Sequence, residues 1–203
     1  MMRRLSAAIS RQLSHPSGRG GRVIAALMNR GNRGLNTRAI ELLDVQPDSR
    51  VLDLGFGGGL TFPLLLERAA SVTGVDRAHD MVQAARARHA DAIAAGRLTV
   101  HEGEVGALPL PDDAVDRILT VNTVYFWRDL PAAFAELLRV LAPGGRLVMG
   151  IRDGSVMDRV NPDVFTIRSA DEIAAALTAA GFAAVEIVSA PDGKTHLLTG
   201  TAG

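Results

Sequence analysis

Val51-Leu-Asp-Leu-Gly-Phe-Gly-Gly-Gly-Leu-Thr61 is the stretch on which the fold turns. Its first residues form a short apolar run interrupted by one acid, Asp53, and its last lead into Phe62-Pro63. Proline tolerates only the first turn of a helix, so a helix should begin at about Thr61. Strand, glycine loop and helix therefore follow one another within a dozen residues. Gly55, Gly57 and Gly59 stand in a G-x-G-x-G pattern. Such a loop lets the backbone turn sharply and brings a ligand close without Cβ atoms in the way. The helix start adds N–H groups and a positive dipole end for an anionic group, such as the carboxylate of an amino-acid tail.

The spacing discriminates between ligands. A dinucleotide fingerprint, G-x-G-x-x-G, needs its last glycine at position 60, where this chain has Leu60. A carboxylate at Asp53 would repel a pyrophosphate but attract the ammonium of an amino-acid tail. Val72-Thr-Gly-Val-Asp76 then ends a second strand on an acid. In doubly wound sheets the carboxyl ends of the first two strands flank one crevice, and a carboxylate there can accept from both hydroxyls of a ribose. Capping of the next helix is the alternative role for Asp76.

Outward from this unit the same rhythm repeats. Apolar runs at Val51–Gly55, Val72–Asp76, Leu98–Glu102, Arg117–Asn122 and Leu147–Arg152 read as buried parallel strands. Helical stretches at Thr61–Ala70, Ala78–Ala94, Leu130–Leu141 and Ala170–Ala180 alternate with them, and Gly96 and Gly181 fall where helices should stop. Two last runs, Ala184–Ser189 and His196–Gly200, are joined through Pro191–Gly193, which is too short for a crossover and must be a hairpin. The expected fold is α/β, a Rossmann-like doubly wound sheet of seven strands, mostly parallel, with one antiparallel C-terminal hairpin strand and flanking helices. Asn36–Leu43 should be a helix packed on the sheet. Ser17–Gly21 and Asn29–Gly34 read as loops or hinged helix breaks over the crevice. Residues 1–35 form an N-terminal helical lid or appendage, and 36–203 the ligand-binding domain.

Composition sets outer bounds. The 203 residues suit one domain. Lys plus Arg and Asp plus Glu both number 22, so no net field draws the chain to nucleic acid or an anionic membrane. No apolar run approaches the length of a membrane span. With no cysteine there are no disulfides, thiolate nucleophiles or thiolate-bound zinc, and the expected setting is cytoplasmic. Met1–His15 is Arg-rich and free of acids, in the manner of a transit peptide, but lacks a cleavage signal and reads better as a surface helix.

With these motifs in place, the chain from about Asn36 onward resembles the class I, Rossmann-like S-adenosylmethionine-dependent methyltransferases, in particular their small-molecule branch. The resemblance implies S-adenosylmethionine as cofactor, held by Asp53, Gly55, Phe56, Gly57 and Gly59 of the first motif and by Asp76 at the ribose, with Arg77 and Met81 beside it. The family's third segment, Gly-Asp-Ala, matches Gly103-Glu104-Val105, so Glu104 would accept from the adenine amino group and the Val105 N–H would donate to a ring nitrogen. Glu in place of Asp sets that carboxylate one methylene further out. Asn122, also in the cofactor set, is followed by Thr123 and Tyr125 where methyl group and acceptor should meet.

Methyl transfer from a sulfonium needs orientation and a dry pocket above all, and a general base only where the acceptor loses a proton. No catalytic residue stands out; Tyr125 and His15 are candidates. Tyr125, Phe126 and Trp127 could wall the acceptor pocket, in a chain where aromatic residues are only 4%. Asn122-Thr-Val-Tyr125 lacks the prolines of nucleic-acid amino-methylating enzymes, and the absence of cysteine excludes cytosine-C5 and thiol-dependent arsenic chemistry. No metal site is expected. The partner is a small-molecule acceptor, not nucleic acid or membrane, and its specificity should lie in Gly154–Ser169 and in residues 1–35. Those N-terminal residues could cover their own subunit's pocket or a neighbour's, which leaves a homodimer open. Two other readings stand beside this one: a protein that holds an adenosyl ligand without turnover, and an NAD(P)-dependent oxidoreductase, against which Leu60 counts.

Overall fold

The computed structural model describes residues 32–152, 165–191 and 193–203. Helix α1 covers 32–43 and is followed by β1, Arg50–Leu54. Then come α2 (Phe62–Leu66), β2 (Ser71–Asp76), α3 (His79–Arg88), α4 (Ala90–Ala94) and β3 (Leu98–Glu102). Strand β4 (Val115–Val121) leads through a 3₁₀ turn, Val124–Phe126, to α5 (Leu130–Val140) and β5 (Leu141–Arg152). Helix α6 (Ala170–Ala180), β6 (Ala183–Ser189) and β7 (Thr195–Thr201) complete the chain.

The seven strands lie in the order β3-β2-β1-β4-β5-β7-β6. All neighbours from β3 to β5 are parallel, and β7 runs antiparallel to both β5 and β6. The architecture expected from the strand pattern and the short C-terminal connection is the one observed. Chain order reverses between β1 and β4, and in such sheets the crevice opens at the carboxyl ends of the strands on either side of that reversal.

Two apolar layers cover the two faces. One packs α1, α2 and α3 on the sheet through Leu35, Ile40, Leu43, Phe62, Leu65, Met81 and Val82; the other packs α5 and α6 through Phe134, Leu137, Ile173 and Leu177. Helix α6 has the best-formed ends. Ser169 and Glu172 make a reciprocal capping box at its start, and Gly181 ends it in the left-handed region at φ 106°.

Several expected boundaries move. The helix expected over Thr61–Ala70 is confined to Phe62–Leu66, with Thr61 as its N-cap. Its side chains pack but one turn supplies little dipole. The long helix expected over Ala78–Ala94 breaks at His89 into α3 and α4. Strand β5 begins at Leu141 rather than Leu147. Leu141 pairs with Val115, and the register then shifts around Gly144, at φ 72°, before Arg146 pairs with Arg117. Asn32, Arg33 and Gly34, expected in a loop, are the first described residues of α1. Ser17–Gly21, the start of the Asn29–Gly34 stretch and most of Gly154–Ser169 lie outside the described residues, as does Asp192 of the hairpin connection.

Candidate active site

The carboxyl ends of β1, β2 and β4 border a cavity of about 580 Å³. The glycine loop forms one wall. Gly55, at φ 72°, closes tightly on the other side of the crevice: a Cβ built there would lie 2.2 Å from Thr123 Cγ2. Gly57, at φ 55°, has nothing within 4 Å of its would-be Cβ, so the space above it is open to a ligand. Gly59 is turned away from the cavity, where a Cβ would press on the Phe62 ring at 3.0 Å. Phe56 tilts against Phe62 with centroids 4.9 Å apart and lines the cavity floor. Gly74 on β2 leaves room for both rings; a Cβ there would sit 2.4 Å from Phe62 Cζ and 2.9 Å from Phe56 Cδ1.

Two carboxylates face this loop. Asp53 is only 4% exposed, and its Oδ2 accepts from the Thr61 hydroxyl. Burial pushes its carboxyl up to about 7; the Thr61 hydrogen bond pulls the other way, and the nearby Asp76 charge adds to the rise. Asp76 ends β2. One of its oxygens accepts from the Gly57 N–H at 2.8 Å, and the other from the Ala78 N–H at 2.9 Å, the residue before α3. The second bond holds the turn into α3, a helix that has no side-chain cap at its N-terminus. The first ties the loop to the neighbouring strand.

The remaining expected site residues fall into three groups. Met81, Arg77, Glu104, Val105 and Asn122 all line the cavity. The Arg77 guanidinium stacks over the Phe126 ring at 4.8 Å, and burial lowers its pKa while Glu104 and Asp76 favour the charged form. Asn122, at φ 58°, donates its N–H to the Gly150 carbonyl at 2.8 Å, which fixes the turn out of β4. Of the aromatic trio, Phe126 and Trp127 line the cavity and Tyr125 does not. Tyr125 is 2% exposed, and its hydroxyl accepts from the Arg152 N–H at 2.5 Å and donates to the Arg152 carbonyl at 3.0 Å. His15 lies outside the described residues. The described end of the expected specificity segment braces the aromatic turn: Thr166 N–H donates to the Tyr125 carbonyl, and Phe165 packs on Phe126 with centroids 5.0 Å apart.

Sequence reasoning missed two contributors, Thr61 and Asn36. Thr61 is the hydroxyl partner of Asp53, signalled only by its place at a helix start, and Asn36 lines the cavity from α1. Thr123, expected near the methyl position, sits where Gly55 must yield, and Asn32, expected in a loop over the crevice, lines the cavity from α1.

Residues 52–149 match the methyltransferase domain family. That stretch of the chain is similar to a methyltransferase domain. It is 40% identical over 114 residues to the demethylmenaquinone methyltransferase of Thermus thermophilus, covering 55% of this chain and 51% of that protein. It is 35% identical over 116 residues to the malonyl-[acyl-carrier protein] O-methyltransferase of Serratia marcescens, covering 56% and 42%. Among solved structures, a chain of the Haloferax volcanii complex between the Trm112 methyltransferase activator and a methyltransferase superposes with a TM-score of 0.75 at 22% identity. That match covers 88% of this chain and 93% of the other. The chain spans about half, or less, of the length of the curated relatives it matches. The matched residues, 52–149, contain the glycine loop, both carboxylates and Asn122.

In chemical terms the crevice offers an open backbone loop between a buried acid and a strand-end acid, with aromatic and amide groups opposite. Among the described residues no group of three or more His, Cys, Asp or Glu is placed to hold a metal ion, and no described helix is long and apolar enough to cross a membrane.

Proposed function

We propose that the chain is an S-adenosylmethionine-dependent methyltransferase acting on a small-molecule acceptor. The observation that carries this reading is the convergence of Asp53, the open loop at Gly57 and the Asp76 carboxylate on one cavity. Asp53 attracts the ammonium of the methionine moiety, and a cation there favours the ionised carboxylate over the protonated form that burial prefers. Asp76 accepts from the ribose hydroxyls, exchanging part of its bonding to the Gly57 and Ala78 N–H groups. Glu104 and Val105 meet the adenine edge, with Met81, Phe56 and Arg77 around the nucleoside. The bound cofactor supplies an electrophilic methyl group on a sulfonium.

What the chain itself contributes is orientation and dryness. Asn122 and Thr123 border the space beyond the loop, and Phe126 and Trp127 give it an apolar wall. Tyr125 acts by holding the end of β5 rather than as a base, since its hydroxyl is engaged on both sides by Arg152. A cysteine-free chain of this kind is at home in the reducing cytoplasm. The test is calorimetry with S-adenosylmethionine, S-adenosylhomocysteine and NADH, followed by assay of S-adenosylhomocysteine release with candidate acceptors. Binding with release supports the enzyme. Binding without release across a broad acceptor set supports the non-catalytic adenosyl-binding reading, and heat from NADH alone supports an oxidoreductase.

A further inference from the structure

We infer that Asn32 and Asn36 of α1 read the methyl acceptor through an oxygen atom, and that Arg152 is the positioning residue that makes Asn32 a hydrogen-bond donor. This rests on the methyltransferase reading above and names its substrate class.

The two carboxamides are four residues apart and so share one face of α1. Both are half-buried and both line the cavity. The same stripe of the helix carries Leu35, Ala39, Ile40 and Leu43, which are packed in the core, and Gly150 on β5 lets Leu35 approach, its would-be Cβ lying 3.2 Å from Leu35 Cγ. The amide pair is therefore held over the crevice by packing. Neither residue belongs to the loop and strand ends assigned to the cofactor.

Arg152 closes β5, and its Nη2 donates to Asn32 Oδ1 at 3.1 Å. A guanidinium can only donate, so the oxygen of Asn32 must face it. The amide nitrogen is left for the cavity, and it has no hydrogen-bond partner among the described residues. The anchor behind it is firm. Tyr125 bonds both the N–H and the carbonyl of Arg152, and Arg152 pairs with Thr195 across β5 and β7.

The acids of the cavity point to the same class of ligand. Those lining it are Asp53, Asp76, Glu104 and Asp129. The first three lie on or just beyond β1, β2 and β3, and Asp129 accepts from the Ala132 N–H to cap α5. No described carboxylate accompanies the α1 amides to receive an ammonium. Among the described residues, then, α1 presents the crevice with an amide donor fixed at Asn32, a second amide at Asn36 and no acid beside them, an arrangement that favours a carbonyl or carboxylate oxygen over a cationic amine.

The experiment titrates the protein saturated with S-adenosylhomocysteine with three ring-matched probes: acetophenone, benzoate and benzylamine. The expected order places acetophenone or benzoate first and benzylamine last. Whichever of the first two binds tighter separates a neutral carbonyl acceptor from a carboxylate one. Asn32→Ala and Asn36→Ala should each weaken the preferred probe about fivefold, the worth of one hydrogen bond. Arg152→Met should do the same and Arg152→Lys restore part of the loss, with affinity for S-adenosylhomocysteine and the melting temperature unchanged in all four variants. Tightest binding of benzylamine, unaltered probe affinity in Asn32→Ala, or no binding of any probe to the loaded protein would each overturn the inference. Failure of the wild type to bind S-adenosylhomocysteine strikes instead at the methyltransferase reading.

Discussion

The two banks of the crevice are built in different ways. On the cofactor side, β1, the glycine loop and the start of α2 are contiguous in sequence, and β2 follows within a few residues to bring Asp76 beside Gly57. On the acceptor side, Asn32, Asn122, Phe126 and Arg152 come from three separate parts of the chain, α1, the turn after β4 and the end of β5, and the hydrogen bond between Arg152 and Asn32 joins residues 120 apart. One bank follows from local backbone chemistry, the other only from the closed sheet. Binding of a ligand common to many enzymes suits the first, and variation of substrate suits the second.

The largest effect should come from filling the cofactor bank. Gly57→Val places a branched side chain in the open space above the loop, at a φ of 55° that disfavours it. Binding of S-adenosylhomocysteine in calorimetry should be lost altogether, while the circular dichroism spectrum keeps its shape; normal binding would mean that the loop faces something else. Next comes Asp76→Ala, which removes charged hydrogen bonds worth about 1–3 kcal/mol and should weaken binding roughly 10- to 100-fold. An unchanged dissociation constant would separate the strand-end acid from the ribose.

Asp53 sharpens the comparison through pH. In the folded chain it ionises near 7, whereas an Asp in an unfolded chain ionises near 4. Between those values the folded state keeps a proton that the unfolded state has released, so ionisation of Asp53 costs stability as pH rises from about 4 to about 7 and adds nothing further above. Without cofactor, Asp53→Asn should therefore gain on the wild type in urea denaturation between pH 5 and pH 8, by at most a few kcal/mol. Equal pH profiles would mean that the carboxyl is not held in its neutral form. The smallest effect belongs to the acceptor bank: Asn32→Ala should leave cofactor affinity alone and move only acceptor binding, about fivefold. A comparable loss of S-adenosylhomocysteine affinity would merge the two banks into one site.

This contrast also explains what could be read in advance. The seven strands, the antiparallel β7 and the crevice acids rest on period, punctuation by Gly and Pro, and loop lengths, all of which are local. Helix ends were harder. Thr61–Ala70 has helical composition throughout, yet only Phe62–Leu66 is helical, because Ala69 and Ala70 must instead lead the chain back to β2, where the Ala70 N–H donates to the Ser49 carbonyl. Leu141 reads as the last residue of a helix but pairs with Val115, a partner no window around it contains. Tyr125 draws attention as an aromatic beside the expected methyl position. Only the packed sheet shows that its hydroxyl is turned to the Arg152 backbone. Asn32 stands in a Gly- and Arg-rich stretch that reads as a loop over the crevice; that it is helical, and held there by Leu35 fitting against Gly150, no local pattern shows.

The most direct measurement is a calorimetric titration of the purified wild-type chain with S-adenosylhomocysteine beside Gly57→Val. The account predicts saturable binding at one site per chain in the wild type and none in the variant. Equal heats from both, or silence from the wild type, would contradict it.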